Sequence, residues 1–549
     1  MTATGGRPSL ARATGVMAAG TALSRITGFG RNIALAVAVG QNLLTDTYLL
    51  ANITPNIIYE LLLGGVLSAT LVPLFVQQLQ RAERDEKEAG QAWHEISAVV
   101  TVAMAVAAVA TVAFVLAAPL VVRLYFEDAT PDQRAIGTSL VRLFALQVVA
   151  YGVVALTTAL LTARRRFAAP MFAPIANNLV VIATILLLPH VARSLDIAAF
   201  RDDRRAIAFL GLGTTLGVVA MAAVQVARLP AAGVLGRQGG LRPTWDLRSP
   251  AVRRLLALSG WTVGVVVANQ VALLVVSRLA IERGGAYSAY SIALIFFLLP
   301  HGVYAVSVIT ALQPDLAERW VAGDRAGLAE RVVTGLRTIA AVIVPAGVGL
   351  ALVASPLVRT LLLHGRFDAS DAEVTAATLA CLAVGLPGFS GFLFLTRVWQ
   401  SMQDTRMTFL LYVVENAINI VLAVALFPRF GVQGLAAAYG TAYTLAAVLA
   451  LVVLGRWLPS GWLRGTAPFA LRLAVATGAM AAAVGLVLAG LRAALPPGST
   501  RAAVELAVAV PVGGASLLAA AAVLGLQEPI SLVRPLLRRL GAGARRPAS

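Results

Sequence analysis

Two arginines six residues apart, Arg25 and Arg31, interrupt the first long apolar run of the chain, roughly residues 16–39. On insertion scales an arginine near the bilayer centre costs about 2.5–3.5 kcal/mol, so the pair costs roughly 5–7 kcal/mol before any rescue. Such charges face a water-filled cavity or an anion rather than lipid, so the chemistry to expect is recognition of a negatively charged group. Along an ideal helix the two lie about 9 Å and about 240° apart, on different faces. Gly28 and Gly30 lie between them, and a bend there would bring both toward one cavity. The ordinary alternative is one arginine reaching for headgroups and one making a structural contact.

The next apolar segment adds Asp46 at its start, then Asn52, Pro55, Asn56, Tyr59 and Glu60. Pro55 removes a backbone hydrogen bond and kinks a helix, leaving carbonyls that neighbouring helices, cavity water or a ligand must satisfy. Asn52, Asn56 and Tyr59 are then candidates to contact the anion, and Glu60 can pair with Arg25 or Arg31 to lower the cost of burial. Further on, Pro300 offers a second mid-helix kink. Glu415 and Asn419 are four apart and share a helix face, so they could hold a small cation such as sodium through their oxygens. Interhelical hydrogen bonding is the more ordinary role for that pair, and for Asn177, Asn178, Asn269 and Asn416.

The elements that must position these residues follow from composition. The chain is 59% hydrophobic and 13% charged, with a mean hydropathy of +0.82. Apolar runs such as 98–122, 144–161 and 473–491 are long enough for the about 20 residues that cross a bilayer. A β-barrel is excluded, because its strands alternate over about ten residues. The expected fold is an all-α polytopic membrane protein of about fourteen transmembrane helices: 11–39, 46–79, 95–125, 134–162, 168–192, 205–229, 250–281, 286–316, 326–358, 372–402, 406–428, 432–456, 467–493 and 502–527.

The net charge of +18 is almost wholly arginine, with Lys87 the only lysine. Arginines concentrate in the connections after even-numbered helices, including Arg164–Arg166 and the stretch from Arg228 to Arg254, and in the C-terminal tail. The positive-inside rule therefore places both termini in the cytoplasm, and a nucleic-acid partner is not expected. The lone Cys381 forms no intramolecular disulfide. No leader peptide is expected, since the first apolar run continues past Arg25 without a small-residue cleavage site. No Walker loop, nucleophile elbow or paired-histidine motif is present, so neither catalysis nor a cofactor or metal is expected. The Gly211–Gly217 run lies inside an apolar segment and reads as helix packing.

Similarity between the segments around Pro55 and Pro300, each with a second proline near its end (Pro73, Pro314), suggests a parallel repeat. The organisation expected is an N-lobe of six helices (1–229), a cytoplasmic linker (230–250), a C-lobe of six helices (251–456), two appended helices (457–528) and a basic tail (529–549).

The motifs SRITGFGRN, ANITPN, GGVLSATLVPLF, LTARRRFAAPMFAPIANN and LPHGVYAVSVITALQPDL resemble, in collinear order, those of the MurJ (MviN) lipid II flippases, and the arginine- and alanine-rich character looks actinobacterial. The resemblance implies the multidrug/oligosaccharidyl-lipid/polysaccharide exporter fold with a central cavity. It also implies transfer of an undecaprenyl-pyrophosphate-linked peptidoglycan precursor from the inner to the outer leaflet. Arg25 and Arg31 match two cavity arginines of that family, and Asp46 matches its acidic position at the second helix. Asn32, the Tyr59-Glu60 region, Gly64 and Ile295 replace charged residues of the family pattern, so this cavity is less cationic. Gly28, Gly30, Asp46, Pro55 and Pro300 are the expected gating or hinge positions. Besides the precursor, membrane lipids and cell-wall synthases are the partners to consider. An exporter of another lipid-linked glycan or amphipathic compound, or a non-transporting scaffold for cell-wall synthesis, are the alternatives.

Overall fold

The computed structural model describes residues 10–59, 71–84, 86–125, 129–235, 240–257 and 260–530. Among these, all regular structure is helical. The first part of the chain forms α1 (Leu10–Val39), α2 (Leu43–Tyr59), α3 (Val72–Arg84), α4 (Glu86–Tyr125) and α5 (Pro131–Ala163). It continues through α6 (Ala168–Val191), α7 (Ile197–Asp202), α8 (Arg204–Val226), α9 (Pro250–Ala257) and α10 (Gly260–Ile281). Then follow α11 (Ala286–Pro300), α12 (Val306–Val321), α13 (Arg325–Leu352), α14 (Ala354–Leu362) and α15 (Ala369–Val384). The last are α16 (Leu386–Ser401), α17 (Thr405–Leu454), α18 (Thr466–Ala494) and α19 (Ser499–Val523). The chain divides into two compact units, Met1–Gly285 and Ala286–Ser549. That division falls after α10, so the seventh expected span packs with the first unit, where it meets α2 and α4.

Ten helices among the described residues are long and apolar enough to cross a membrane, or eleven if the pair α15 and α16, bent by 49°, is one span. Three of the fourteen expected spans are missing from that count: α1, which carries Arg25 and Arg31, is not among these helices, and the other two have identifiable reasons. The second expected helix runs through residues 60–70, outside the described residues. The eleventh and twelfth form the continuous run α17, broken only at Gly431 (φ 57, ψ −137), three residues after Pro428. Only glycine adopts that backbone readily, so the sequence break expected near 428–432 is a kink rather than a loop.

The first unit illustrates how apolar helices become membrane spans. On α4, Ala107, Thr111, Phe114, Ala118 and Val122 are buried against neighbours, while Val109, Val112, Leu116 and Leu120 are exposed. A helix that is apolar on both faces buries one in protein and leaves the other for lipid. Polar pairs knit the buried side: Gln225 Oε1 accepts from Thr157 and Thr158, each at 2.9 Å. Between α6 and α8, a Cβ added at Gly213 would lie 2.5 Å from Thr184, and one at Gly217 2.5 Å from Asn177 Oδ1. The Gly213/Gly217 pair is therefore a helix-packing surface, as small residues four apart usually are.

The stretch 230–250 is packed against the first unit in its described parts. Leu229, Ala232, Val234, Ala251 and Val252 share a buried cluster with Phe75, Ile96 and Leu160. Along α4, Ser97 Oγ accepts from the Arg242 N–H (3.1 Å) and Thr101 Oγ1 from the Thr244 N–H (2.9 Å). His94 meets Asp246 at 3.2 Å. That contact, followed by the Arg248 N–H, holds the Asp246 carboxyl below its usual range.

Candidate functional site

α1 is a single helix through the Arg25–Arg31 segment, and this stretch faces α6 at ordinary contact distance. A Cβ at Gly28 would lie 3.4 Å from Asn178 Nδ2, and one at Gly30 3.9 Å from Ile182. Asn178 anchors this face: its Nδ2 donates to the Ser24 carbonyl (3.1 Å) and to Thr27 Oγ1 (3.0 Å). Asn32, standing where the resemblance leads one to expect an acid, donates to the Gly28 carbonyl of its own helix at 2.9 Å. With α1 continuous through this segment, the two arginines lie on different faces of the helix. Arg25 is exposed and Arg31 half-buried. Among the described residues neither takes part in a hydrogen bond or an ion pair. Arg31 lies near enough to Tyr48 for its charge to act on the phenol. Tyr48 in turn meets Thr214 at 3.3 Å and packs edge-on against Phe144. Tyr48 has no charge or unusual spacing, and nothing in the sequence singles it out.

Asn178 is the residue that fixes α1 in this position, so its loss is informative. Asn178→Ala removes both hydrogen bonds to α1 and leaves the Thr27 hydroxyl bonded only within its own helix. Interhelical hydrogen bonds in membranes average about 0.6 kcal/mol. The expected result is a small loss of thermal stability in detergent, accompanied by increased hydrogen exchange along residues 20–30.

α2 begins with a well-formed cap. Asn42 Oδ1 accepts from the Leu44 and Thr45 N–H groups at 3.0 Å each, after a turn at Gly40 (φ 89). Asp46 is fully buried one turn later. Its Oδ2 accepts the Gly285 N–H at 2.8 Å, tying α2 to the turn that closes the first unit. Gly285 has φ +82, and a Cβ there would lie 3.0 Å from the Gln41 carbonyl oxygen, so that latch depends on glycine. Asn52 is half-buried and Pro55 buried within α2. Asn56 and Tyr59 belong to the same helix, and Glu60 and Gly64 lie outside the described residues.

The second unit holds the other candidates. Directly after Pro300 the backbone widens into a π turn, His301–Ala305, before α12 begins. His301 Nδ1 lies 3.0 Å from Ser390 Oγ and its ring packs edge-on against Phe389. Such π turns are rare and are found mostly as local bulges at functional positions. Ile295, on α11, is half-buried.

Glu415 and Asn419 face the interior of this unit, where Glu415 is 1% exposed. Both Glu415 carboxylate oxygens and Asn419 Oδ1 are buried without a hydrogen-bond partner. The ordinary expectation of interhelical hydrogen bonding therefore fails at these three atoms. Four tyrosines, Tyr290, Tyr412, Tyr439 and Tyr443, stand near enough to Glu415 to feel its charge. Asn416 instead donates to the Tyr412 carbonyl at 2.8 Å. An ionised carboxylate with neither donor nor counter-ion is too costly in such a place, so a proton or a bound cation must neutralise it.

Comparison with known proteins follows the same lines. A family model described as "Lipid II flippase MurJ" matches residues 35–500. A protein of Rhizobium meliloti (strain 1021) named "Probable lipid II flippase MurJ" is 28% identical over 540 residues, covering 93% of this chain and 95% of the relative. The "Lipid II flippase MurJ" of Burkholderia cenocepacia is 26% identical and covers 81% of this chain and 84% of its own length. Among solved structures, "Lipid II flippase MurJ, inward closed conformation" superposes with a TM-score of 0.72 at 19% identity, over 95% of this chain and 99% of the other. An inward-facing multidrug transporter of the MATE family gives 0.63 at 12% identity, covering 78% and 93%. With most of its length matched by that family model, this multi-pass membrane protein belongs to the lipid II flippase MurJ family.

Proposed function

We infer that the chain moves lipid II, the undecaprenyl-pyrophosphate-linked peptidoglycan precursor, from the inner to the outer leaflet of the bacterial plasma membrane by alternating access. Beyond family membership, Arg31 carries this reading. It is half-buried in an apolar helix and has no acid or acceptor among the described residues, which suits a group reserved for an anion. Arg25 and Arg31 receive the pyrophosphate through charge-assisted hydrogen bonds, with Asn52, Asn56, Tyr59 and Glu60 as neighbouring contacts. Gly28, Gly30, Pro55 and Pro300 supply bending, and Asp46 acts as the latch on the Gly285 turn.

In this reading both termini are cytoplasmic, the chain works as two six-helix lobes with two appended helices, and the basic tail is available to cell-wall synthases. An interior-negative potential favours outward movement of the anion. A net charge of about −2 crossing about 100 mV gains about 4.6 kcal/mol. Glu415 and Asn419 form a small-cation site that couples to the cycle.

Leaflet-resolved accessibility of lipid II in cells depleted of the protein tests the function. Precursor should accumulate where external reagents cannot reach it, and re-expression should restore access. Unchanged accessibility on depletion would refute the assignment.

A further inference from the structure

The turn from α5 to α6 carries Arg164, Arg165 and Arg166, and the site described above uses none of them. α5 ends in a paired cap in which the Arg165 N–H donates to the Thr162 carbonyl (2.9 Å) and the Arg166 N–H to the Leu161 carbonyl (2.8 Å). That cap places Arg165 at φ 56, a left-handed backbone that glycine adopts far more cheaply than arginine. Among the described residues, Gln403 (φ 61) is the other non-glycine residue with positive φ. It closes α16 in the same way: the Gln403 N–H donates to the Gln400 carbonyl and the Asp404 N–H to the Trp399 carbonyl, each at 3.0 Å.

The two turns differ in what their side chains do. After α16, Asp404 caps the next helix by accepting the Met407 N–H at 2.8 Å. After α5, the next helix starts behind Phe167 with no side-chain cap, and arginines occupy the turn. Beside it lies a cavity of about 490 Å³ whose lining includes Val76, Leu79, Glu83, Arg164, Arg165 and Phe167. Arg164 donates through Nη1 to Glu83, while its Nε is buried without an acceptor. Arg165 makes no polar side-chain contact among the described residues.

Two guanidiniums against one already paired carboxylate leave the cavity cationic, and the rest of the wall is partly apolar. We propose that this cavity binds the phosphate of an anionic phospholipid headgroup, held by the exposed guanidinium of Arg165 with Arg164 beside it in the cavity wall. The glycerol end of the lipid lies against Val76, Leu79 and Phe167. An arginine retained at a left-handed position is explained by what its side chain holds, since glycine would serve the turn better. Basic pockets between spans at the membrane border are where such headgroups are recognised.

The test uses the full-length protein in detergent, titrated with phosphatidylglycerol and followed by native mass spectrometry of the tightest lipid adduct. Phosphatidylcholine of the same chain length and inorganic phosphate serve as competitors. Arg165→Gly should weaken phosphatidylglycerol binding about fivefold while the melting temperature stays level or rises. Gln403→Gly should relieve the equivalent strain and leave lipid binding unchanged. Phosphatidylglycerol binding by Arg165→Gly within about twofold of the parent overturns the proposal, as does equal binding of phosphatidylcholine. Displacement of the lipid by millimolar inorganic phosphate would also overturn it, by identifying a soluble anion as the ligand.

Discussion

Arg31→Ala should abolish complementation of a flippase-depleted strain while leaving the folded protein at least as stable as the parent. Both halves follow from the same observation. Arg31 is half-buried and makes no ion pair or hydrogen bond among the described residues, so its removal breaks no native polar bond there. It also relieves the desolvation of a charge in an apolar helix, a term of about 2.5–3.5 kcal/mol on insertion scales. What is lost is a hydrogen bond from a charged group to the substrate, worth about 1.5–3 kcal/mol, or roughly tenfold to 150-fold in transport. Arg25→Ala should follow the same pattern with a smaller effect, because Arg25 is exposed and its charge is better screened. Arg31→Lys should fall between, since an ammonium keeps the charge but not the fork that grips a phosphate from two directions. Growth of the Arg31→Ala strain at normal expression would remove this residue from the mechanism. A melting temperature well below the parent would show instead that the arginine is structural.

The helices were legible in the sequence because a bilayer demands long apolar runs, and the fourteen expected segments all contain helix in their described parts. Arg25 and Arg31 were legible for the converse reason, as charges where hydrocarbon should be. What the sequence hides is pairing across distance. Asp46 reads as a helix-start acid, yet its described partner is the N–H of Gly285, 239 residues away. Asn178 reads as one more embedded amide, and only the packing of α6 on α1 turns it into the anchor of the arginine helix. Gly28 and Gly30 are ambiguous in another way. Two glycines in a span suggest a bend, and α1 runs through them as one continuous helix with Asn178 and Ile182 of α6 at ordinary contact distance. The same residue type serves hinges and close contacts, and spacing alone does not separate them. The break of the expected helix 326–358 at Val353, into α13 and α14, falls where Pro356 in the first turn of α14 has no N–H to give the Leu352 carbonyl.

Glu415→Gln should separate the two ways in which a buried, unpartnered carboxylate can be neutralised. If Glu415 and Asn419 hold a small cation, the parent protein gains stability on adding sodium by RT ln(1 + [Na⁺]/Kd). That amounts to about 2.7 kcal/mol at a concentration 100 times Kd. Glu415→Gln keeps the shape of the side chain and removes its charge, so it should abolish this sodium dependence. Asn419→Ala should weaken it, because Asn419 Oδ1 is a buried oxygen on the same helix face that lacks any hydrogen-bond donor. In potassium or choline, where the site would stay unfilled, the Gln variant should be the more stable protein. It no longer carries a carboxylate that must be neutralised among Tyr290, Tyr412, Tyr439 and Tyr443. The measurement is a series of melting curves in detergent at constant ionic strength, with sodium exchanged for choline. A parent whose stability ignores sodium but changes with pH in step with Glu415 would place a proton there, and the cation site would be withdrawn. Sodium dependence that survives in Glu415→Gln would move the site elsewhere in the molecule. The expected crossover, with the parent more stable in sodium and the variant more stable in choline, cannot arise from a side chain that merely packs.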